Sequence, residues 1–112
     1  MADGPRLTTD FWVAAYLARL DQAGIYAHLV ARGDASAGAV LVKCATMDGR
    51  ASVYARGYDE NFRRVWTTHA ENVPEPEADQ TLERQRGFDR DLWVVEIEDP
   101  RGRHLLDEDG LA

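Results

Sequence analysis

No stretch of the sequence restricts the chain more tightly than the Asp48-Gly49 pair set between two β-rich runs. A type I′ turn needs positive φ at both central residues, and Asp-Gly supplies this at low cost. The pair predicts a hairpin over Ala39 to Arg56, reversed at Met47-Asp48-Gly49-Arg50. Counting outward, Thr46 faces Ala51, Cys44 faces Val53 and Val42 faces Ala55. Side chains alternate along a strand. One face therefore gathers Val40, Val42, Cys44, Thr46, Ala51, Val53 and Ala55, and the other Leu41, Lys43, Ala45, Ser52, Tyr54 and Arg56. The first face is expected to be core, with room above Ala51 and Ala55 for bulky side chains from elsewhere.

Those side chains are expected from an N-terminal helix. Thr8, Thr9 and Asp10 offer an N-cap, and Val13, Tyr16, Leu17 and Leu20 follow at helical spacing, with Trp12 widening the stripe. Gly24 supplies a left-handed stop. Trp12 and Tyr16 are the expected partners of Ala51 and Ala55.

Ile25 to Arg32 reads as a strand, and Gly33 to Gly38 as a flexible loop with little to pack. Gly57 to Asn61 reads as a turn and Phe62 to Thr68 as a further strand, so four successive strands predict an antiparallel meander. Residues 69–79 contain Pro74, Pro76 and four carboxylates, and read as a solvated acidic loop, a candidate for partial disorder. Asp79 to Arg86 suits a short helix ended by Gly87, with Phe88 turned inward. Leu92 to Glu98 alternates, placing Trp93, Val95 and Ile97 on one face. Asp99-Pro100-Arg101-Gly102 suits a type I turn, leading to an edge strand at Arg103 to Leu106 and an acidic tail over residues 107–112.

The predicted architecture is α+β: an N-terminal helix on an antiparallel sheet of about five strands, with a second short helix before the last long strand. The 112 residues suit a single domain. No apolar run is long enough to span a bilayer, and the N-terminus lacks the basic-then-apolar pattern of a secretory signal, so a cytoplasmic location is expected. Cys44 stands alone, which rules out an intrachain disulfide. The net charge of −7 sits mainly in the C-terminal half: 7 basic and 15 acidic residues follow Arg56. Such a field repels phosphate backbones and anionic membranes and disfavours nucleic-acid binding. Of the 13 basic residues, only Lys43 is a lysine.

Three parts of the sequence carry a family resemblance. These are Arg86 to Asp99, with its Phe-Asp-x-Asp-x-Trp-Val-x-Glu pattern, Leu7 to Gly24, and the Asp-Gly hairpin. Through them the chain resembles a small bacterial family of uncharacterised proteins, domain-of-unknown-function family 1491. The resemblance implies a stand-alone, single-domain cytoplasmic protein, and brings no activity, cofactor or catalytic residue with it.

Two surfaces are candidates for function. Tyr54 and Arg56 on the outer hairpin face, with Tyr58, Arg64 and Trp66 beside them, combine the residue types that dominate interface hot spots. They define a non-enzymatic interaction module, a homodimer or an adaptor, unless the second helix covers them. Alternatively, Asp89, Glu96 and Glu98 could converge on Mg²⁺ or Mn²⁺ in a phosphodiester-cleaving enzyme. Solvation of an open strand face, or pairing with Arg64, explains the same glutamates. His28, His69 and His104 lack ligand spacing, and Gly33 to Gly38 lacks the end of a phosphate loop. The expectation is no cofactor, and a protein partner or self-association.

Overall fold

The computed structural model describes residues 7–61 and 63–108. These form α1 (Thr9–Gln22), β1 (Tyr26–Ala31), β2 (Val40–Ala45), β3 (Arg50–Tyr58), β4 (Arg64–Pro74), α2 (Glu75–Phe88) and β5 (Trp93–Glu98). The strands make one sheet in the order β1-β5-β2-β3-β4, with β5 parallel to β2 and every other neighbour antiparallel. The four early strands are therefore not a simple meander, because β5 enters between β1 and β2. Its sequence explains the place: Trp93, Val95 and Ile97 are buried on one face and Val94 on the other. A strand apolar on both faces belongs in the middle of a covered sheet.

The two helices cover opposite faces. Trp12, Val13, Tyr16 and Leu20 of α1 pack on Val40, Val42, Cys44, Trp93, Val95 and Ile97. Ala78 and Leu82 of α2 pack on Leu41, Ala45, Ala51, Val53 and Val94. All six residues of β2 are buried.

Asp48 and Gly49 do lie at the chain reversal, but in a three-residue loop. Thr46 N–H donates to the Arg50 carbonyl at 3.1 Å, while Met47 and Gly49 take φ of 65° and 85°. The Asp48 carboxylate fixes this loop by accepting from the Arg50 N–H and the Thr46 hydroxyl. The pairing becomes Ala45 with Ala51, Lys43 with Val53 and Leu41 with Ala55, one residue away from the expected register. A one-residue slip exchanges the faces of a strand. Ala51, Val53 and Ala55 thus lie under α2 instead of under Trp12 and Tyr16, and Tyr54 joins the α1 side.

Helix α1 ends in a Schellman motif. Gly24 has φ 75°, its N–H bonds to Asp21 O, and Ile25 N–H bonds to Leu20 O at 2.9 Å. At its start, the N–H groups of Thr9 and Asp10 donate to Ser36 O and Ala35 O. The Gly33 to Gly38 loop therefore satisfies donors that the first turn leaves open, and is a packed element where a flexible one was expected. Gly38 is itself buried, against the Trp93 ring.

Residues 69–79, expected as a solvated loop, are the end of β4 and the first turn of α2. Pro74 is the N-cap, Pro76 lies in the first turn, and Glu75 N–H donates to Gly49 O at 2.8 Å. Helix α2 runs through Gly87, and Phe88, expected inside, is 80% exposed.

The Asp99–Gly102 turn forms, with Gly102 N–H bonded to Asp99 O at 2.9 Å. Arg103 grips the buried Asp99 carboxylate through both oxygens, at 2.9 and 3.1 Å. That guanidinium holds the Asp99 carboxyl below the usual carboxylate range. No edge strand follows, because Leu105 takes φ of 60° and Leu106 enters the α1 core. Residues 103–108 form a strap instead, tied to α1 by Tyr16 OH to His104 O at 2.7 Å and by the Arg19–Glu108 ion pair. Phe62 and residues 109–112 lie outside the described set.

Candidate functional site

Arg56 and Trp66, expected on an outer face, are brought together on the α1 side of the sheet as a cross-strand pair. The Arg56 guanidinium lies 4.7 Å from the Trp12 ring centroid, and Trp66 meets Trp12 at 5.7 Å. Trp12 also stacks on Tyr16 at 4.9 Å. Arg56 and Trp66 thus close the open end of the α1 core. Tyr54 lies further along the same face, its ring 4.7 Å from His104. Arg64 lines a cleft of about 410 Å³ with Arg56, Thr8 and Ser36. Tyr58 pairs with Arg64 through its backbone, and its side chain lies outside the described set.

The His104 Nδ1 accepts the Leu106 N–H at 3.0 Å, which requires that nitrogen to be unprotonated. Burial pushes the His104 imidazole below its ordinary value, against the opposing charge of Asp107. A depressed folded-state pKa stabilises the fold above the unfolded value of about 6.5, and that contribution is lost as pH falls through the folded value. The urea midpoint is expected to drop between pH 7.5 and pH 5, and to drop less in His104→Gln. Asp99, with its lowered pKa, stays ionised across this window.

Glu96 of β5 meets a residue that the sequence did not single out as functional. Lys43, 3% exposed, sits in register with Glu96 on the neighbouring strand. Its ammonium donates to Asp79 at 2.6 Å and Glu75 at 2.8 Å, with Glu96 at 3.6 Å. Burial alone lowers a lysine pKa, but these three carboxylates reverse the effect and hold Lys43 above its ordinary value. The signal was a single lysine within the apolar run Val-Leu-Val-Lys-Cys-Ala. Arg64, expected beside the glutamates, is on β4 at the other side of the sheet.

Asp89, Glu96 and Glu98 do not form a ligand set. Asp89 lies beyond the opposite end of β5 from Glu98, and its carboxylate accepts the Asp91 N–H at 2.9 Å. Among the described residues no group of three His, Cys, Asp or Glu is placed to hold a metal ion. Cys44 is buried, and its thiol is pushed up to about 11 by desolvation, so it is not a ready nucleophile.

The two sheet edges differ sharply. Edge strand β4 has two register shifts against β3, a left-handed Asn72 and a terminal Pro74, features that blunt an edge. Arg50 also clasps the Asn72 carbonyl. Edge strand β1 reads Tyr-Ala-His-Leu-Val-Ala, with no charge and no proline. Helix α2 packs on β2, β3 and β4 and leaves the β1 side of its face uncovered. There Tyr26 is 64% exposed beside His28, and Val30, at a bulge in β1, is 42% exposed.

Two helices on opposite faces of a five-strand mixed sheet, with one bare edge, define the class of protein. A family model described as "Protein of unknown function (DUF1491)" matches residues 7–107, and the chain belongs to that family. It is 41% identical to a DUF1491 family protein from Caulobacter crescentus CB15 solved by crystallography, over 92% of this chain and 97% of that one, with a TM-score of 0.84. An NMR structure of a DUF1491 family protein from the same organism gives 42% identity, coverage of 94% and 96%, and a TM-score of 0.84. A protein from A. tumefaciens, solved in solution, is 34% identical over 84% of this chain and 86% of that one, with a TM-score of 0.73. No protein of curated function matches the sequence. No helix among the described residues is long and apolar enough to cross a membrane.

Proposed function

We propose that the protein is a non-enzymatic interaction module whose β1 edge pairs with β1 of a second copy. The observation that carries this reading is the contrast between edges: β4 is defended by bulges, Asn72 and proline, and β1 by a single bulge. An unpaired edge offers a row of backbone donors and acceptors to another strand. A two-fold operation places the same uncharged strand opposite itself, so no like charge enters the contact although each chain carries −7. Tyr26 supplies exposed aromatic area beside the seam, and Glu98, its cross-strand neighbour, gives a polar rim.

Sedimentation equilibrium tests this directly. A concentration-dependent dimer is expected, reduced to monomer by Tyr26→Lys or Val30→Lys, since an edge lysine resists strand addition. Both side chains are exposed, so the monomer's melting temperature should hold. A chain that stays monomeric up to about 1 mM, where association would be worth only about 4 kcal/mol, contradicts the reading. So does a dimer that neither lysine disturbs.

A further inference from the structure

Strand β1 holds no aspartate, glutamate, lysine or arginine, yet it is uncharged only while one side chain, His28, stays neutral. Ala27 and Leu29 turn towards the α1 core, so His28 points to the opposite face, where it is exposed. Its ring centroid is 6.0 Å from that of Tyr26, and it stands opposite Glu96 on β5. A histidine changes charge between about pH 5 and pH 8. A seam made of this strand and its own copy therefore carries two such groups.

Given the β1 pairing proposed above, on which this inference rests, symmetry decides where the two histidines meet. The two-fold axis stands perpendicular to a continuous sheet, so opposed residues share a face and the pairing centres on one residue. Centring on His28 sets Tyr26 against Val30 of the second copy and His28 against its own counterpart. A centre at Ala27 reaches back to Ile25, outside the strand, and a centre at Leu29 runs past the bulge between Leu29 and Ala31. In either of those registers the two histidines still lie on the diagonal of one face, about 7–8 Å apart.

We propose that β1 pairing is gated by pH: protonation of His28 loosens the dimer. Only interactions that differ between monomer and dimer alter association. Glu96 faces His28 in both states and is held by Lys43, which also binds Glu75 and Asp79 of α2. Glu98 lies opposite Tyr26. Helix α1 packs on the other face of β1, and α2 leaves this side uncovered. Arg86 and Arg90, at the end of α2, stand with Glu83 and Asp89 around Ala31, three residues further along. Dimerisation adds the second imidazole at close range. Glu96 of the second copy is two strand spacings away, about 10 Å, where 0.1 M salt screens it. Two imidazoliums therefore oppose pairing with no equal attraction gained, and like charges directly opposite weaken a strand pair by about fivefold in Kd.

Sedimentation equilibrium of the full chain at pH 7.5 and pH 5.0 in 0.1 M salt tests the proposal, with circular dichroism to confirm the fold at both. His28→Gln measures how every other group responds, including His104 and the net charge of −7. From pH 7.5 to pH 5.0 the wild-type Kd is expected to rise about fivefold more than that of His28→Gln. Because His28 is exposed, His28→Gln should dimerise like the wild type at pH 7.5. His28→Lys, charged at both pH values, should dimerise weakly at both. The gate is overturned if wild type and His28→Gln respond to pH by the same factor, if His28→Gln fails to dimerise at pH 7.5, or if His28→Lys pairs as tightly as the wild type. A wild-type dimer that ignores pH but is still abolished by Tyr26→Lys sinks the gate alone, whereas no dimer at pH 7.5 sinks both the gate and the β1 pairing.

Discussion

Lys43→Met is expected to lower stability by about 3 kcal/mol, roughly 10 °C in melting temperature for a chain of this size. The reason is geometric. Helix α2 buries only Ala78 and Leu82, too little apolar surface to hold a helix with acidic residues along its first turn. The Lys43 ammonium supplies the remaining anchor by bonding Glu75 and Asp79, one helical turn apart, and Glu96 from the sheet. Removing it leaves three neighbouring carboxylates that repel one another. The effect lies at the low end for a buried ion because Glu75 and Asp79 are 37% and 56% exposed and can rehydrate. Glu96, at 21%, has less access to water. Glu96→Gln added to Lys43→Met should therefore recover part of the loss, measured by urea denaturation.

The pH dependence has a definite sign. A raised folded-state pKa makes the Lys43 contribution complete below the unfolded value and removes it as pH climbs through the folded one. Lys43 lies above the ordinary lysine value of 10.5, so its anchor is intact at neutral pH and fails only in strong alkali. Amide exchange in α2 should accelerate there before exchange in β2 and β5.

Gly33→Ala is the second large effect, with an expected loss of about 3 kcal/mol, at the upper end of overpacking costs. A Cβ at Gly33 would fall 2.0 Å from the Asp91 carbonyl oxygen and 2.6 Å from its carbon. Backbone cannot swing aside as a flexible side chain can. The Asp34–Asp91 hydrogen bond and the Trp93–Asp34 bond should be lost with it, and near-ultraviolet circular dichroism of Trp93 would report the change. Gly87→Ala is the control: its Cβ meets open space, so it should be neutral or stabilising by a few tenths of a kcal/mol through helix propensity. If Gly33→Ala were equally silent, the packing of residues 33–38 on β5 would be wrong.

Local patterns were legible in the sequence, and partners distant along the chain were not. The α1 stripe, its Gly24 stop and the Trp93, Val95, Ile97 alternation all follow from spacing, and the structure places them as read. The hairpin register failed by one residue because Asp48 caps a three-residue loop with Met47 in the left-handed region. That single slip sent Tyr54 and Arg56 to the α1 side and Ala51 and Ala55 to α2. The central place of β5 was present in the sequence, since Leu92 and Val94 are apolar opposite Trp93 and Val95. Pro74 to Asp79 read as loop because its helix is held by Lys43, 32 and 36 residues away from the two acids it binds.

The central functional claim is that β1 is a docking edge filled by another copy of itself. Amide hydrogen exchange measured as a function of protein concentration tests it most directly. Within Tyr26–Ala31, the amides not bonded to β5 are expected to gain protection as concentration rises, while the β4 edge amides stay unchanged. Exchange in β1 that is independent of concentration, or protection that appears at β4 instead, would contradict it.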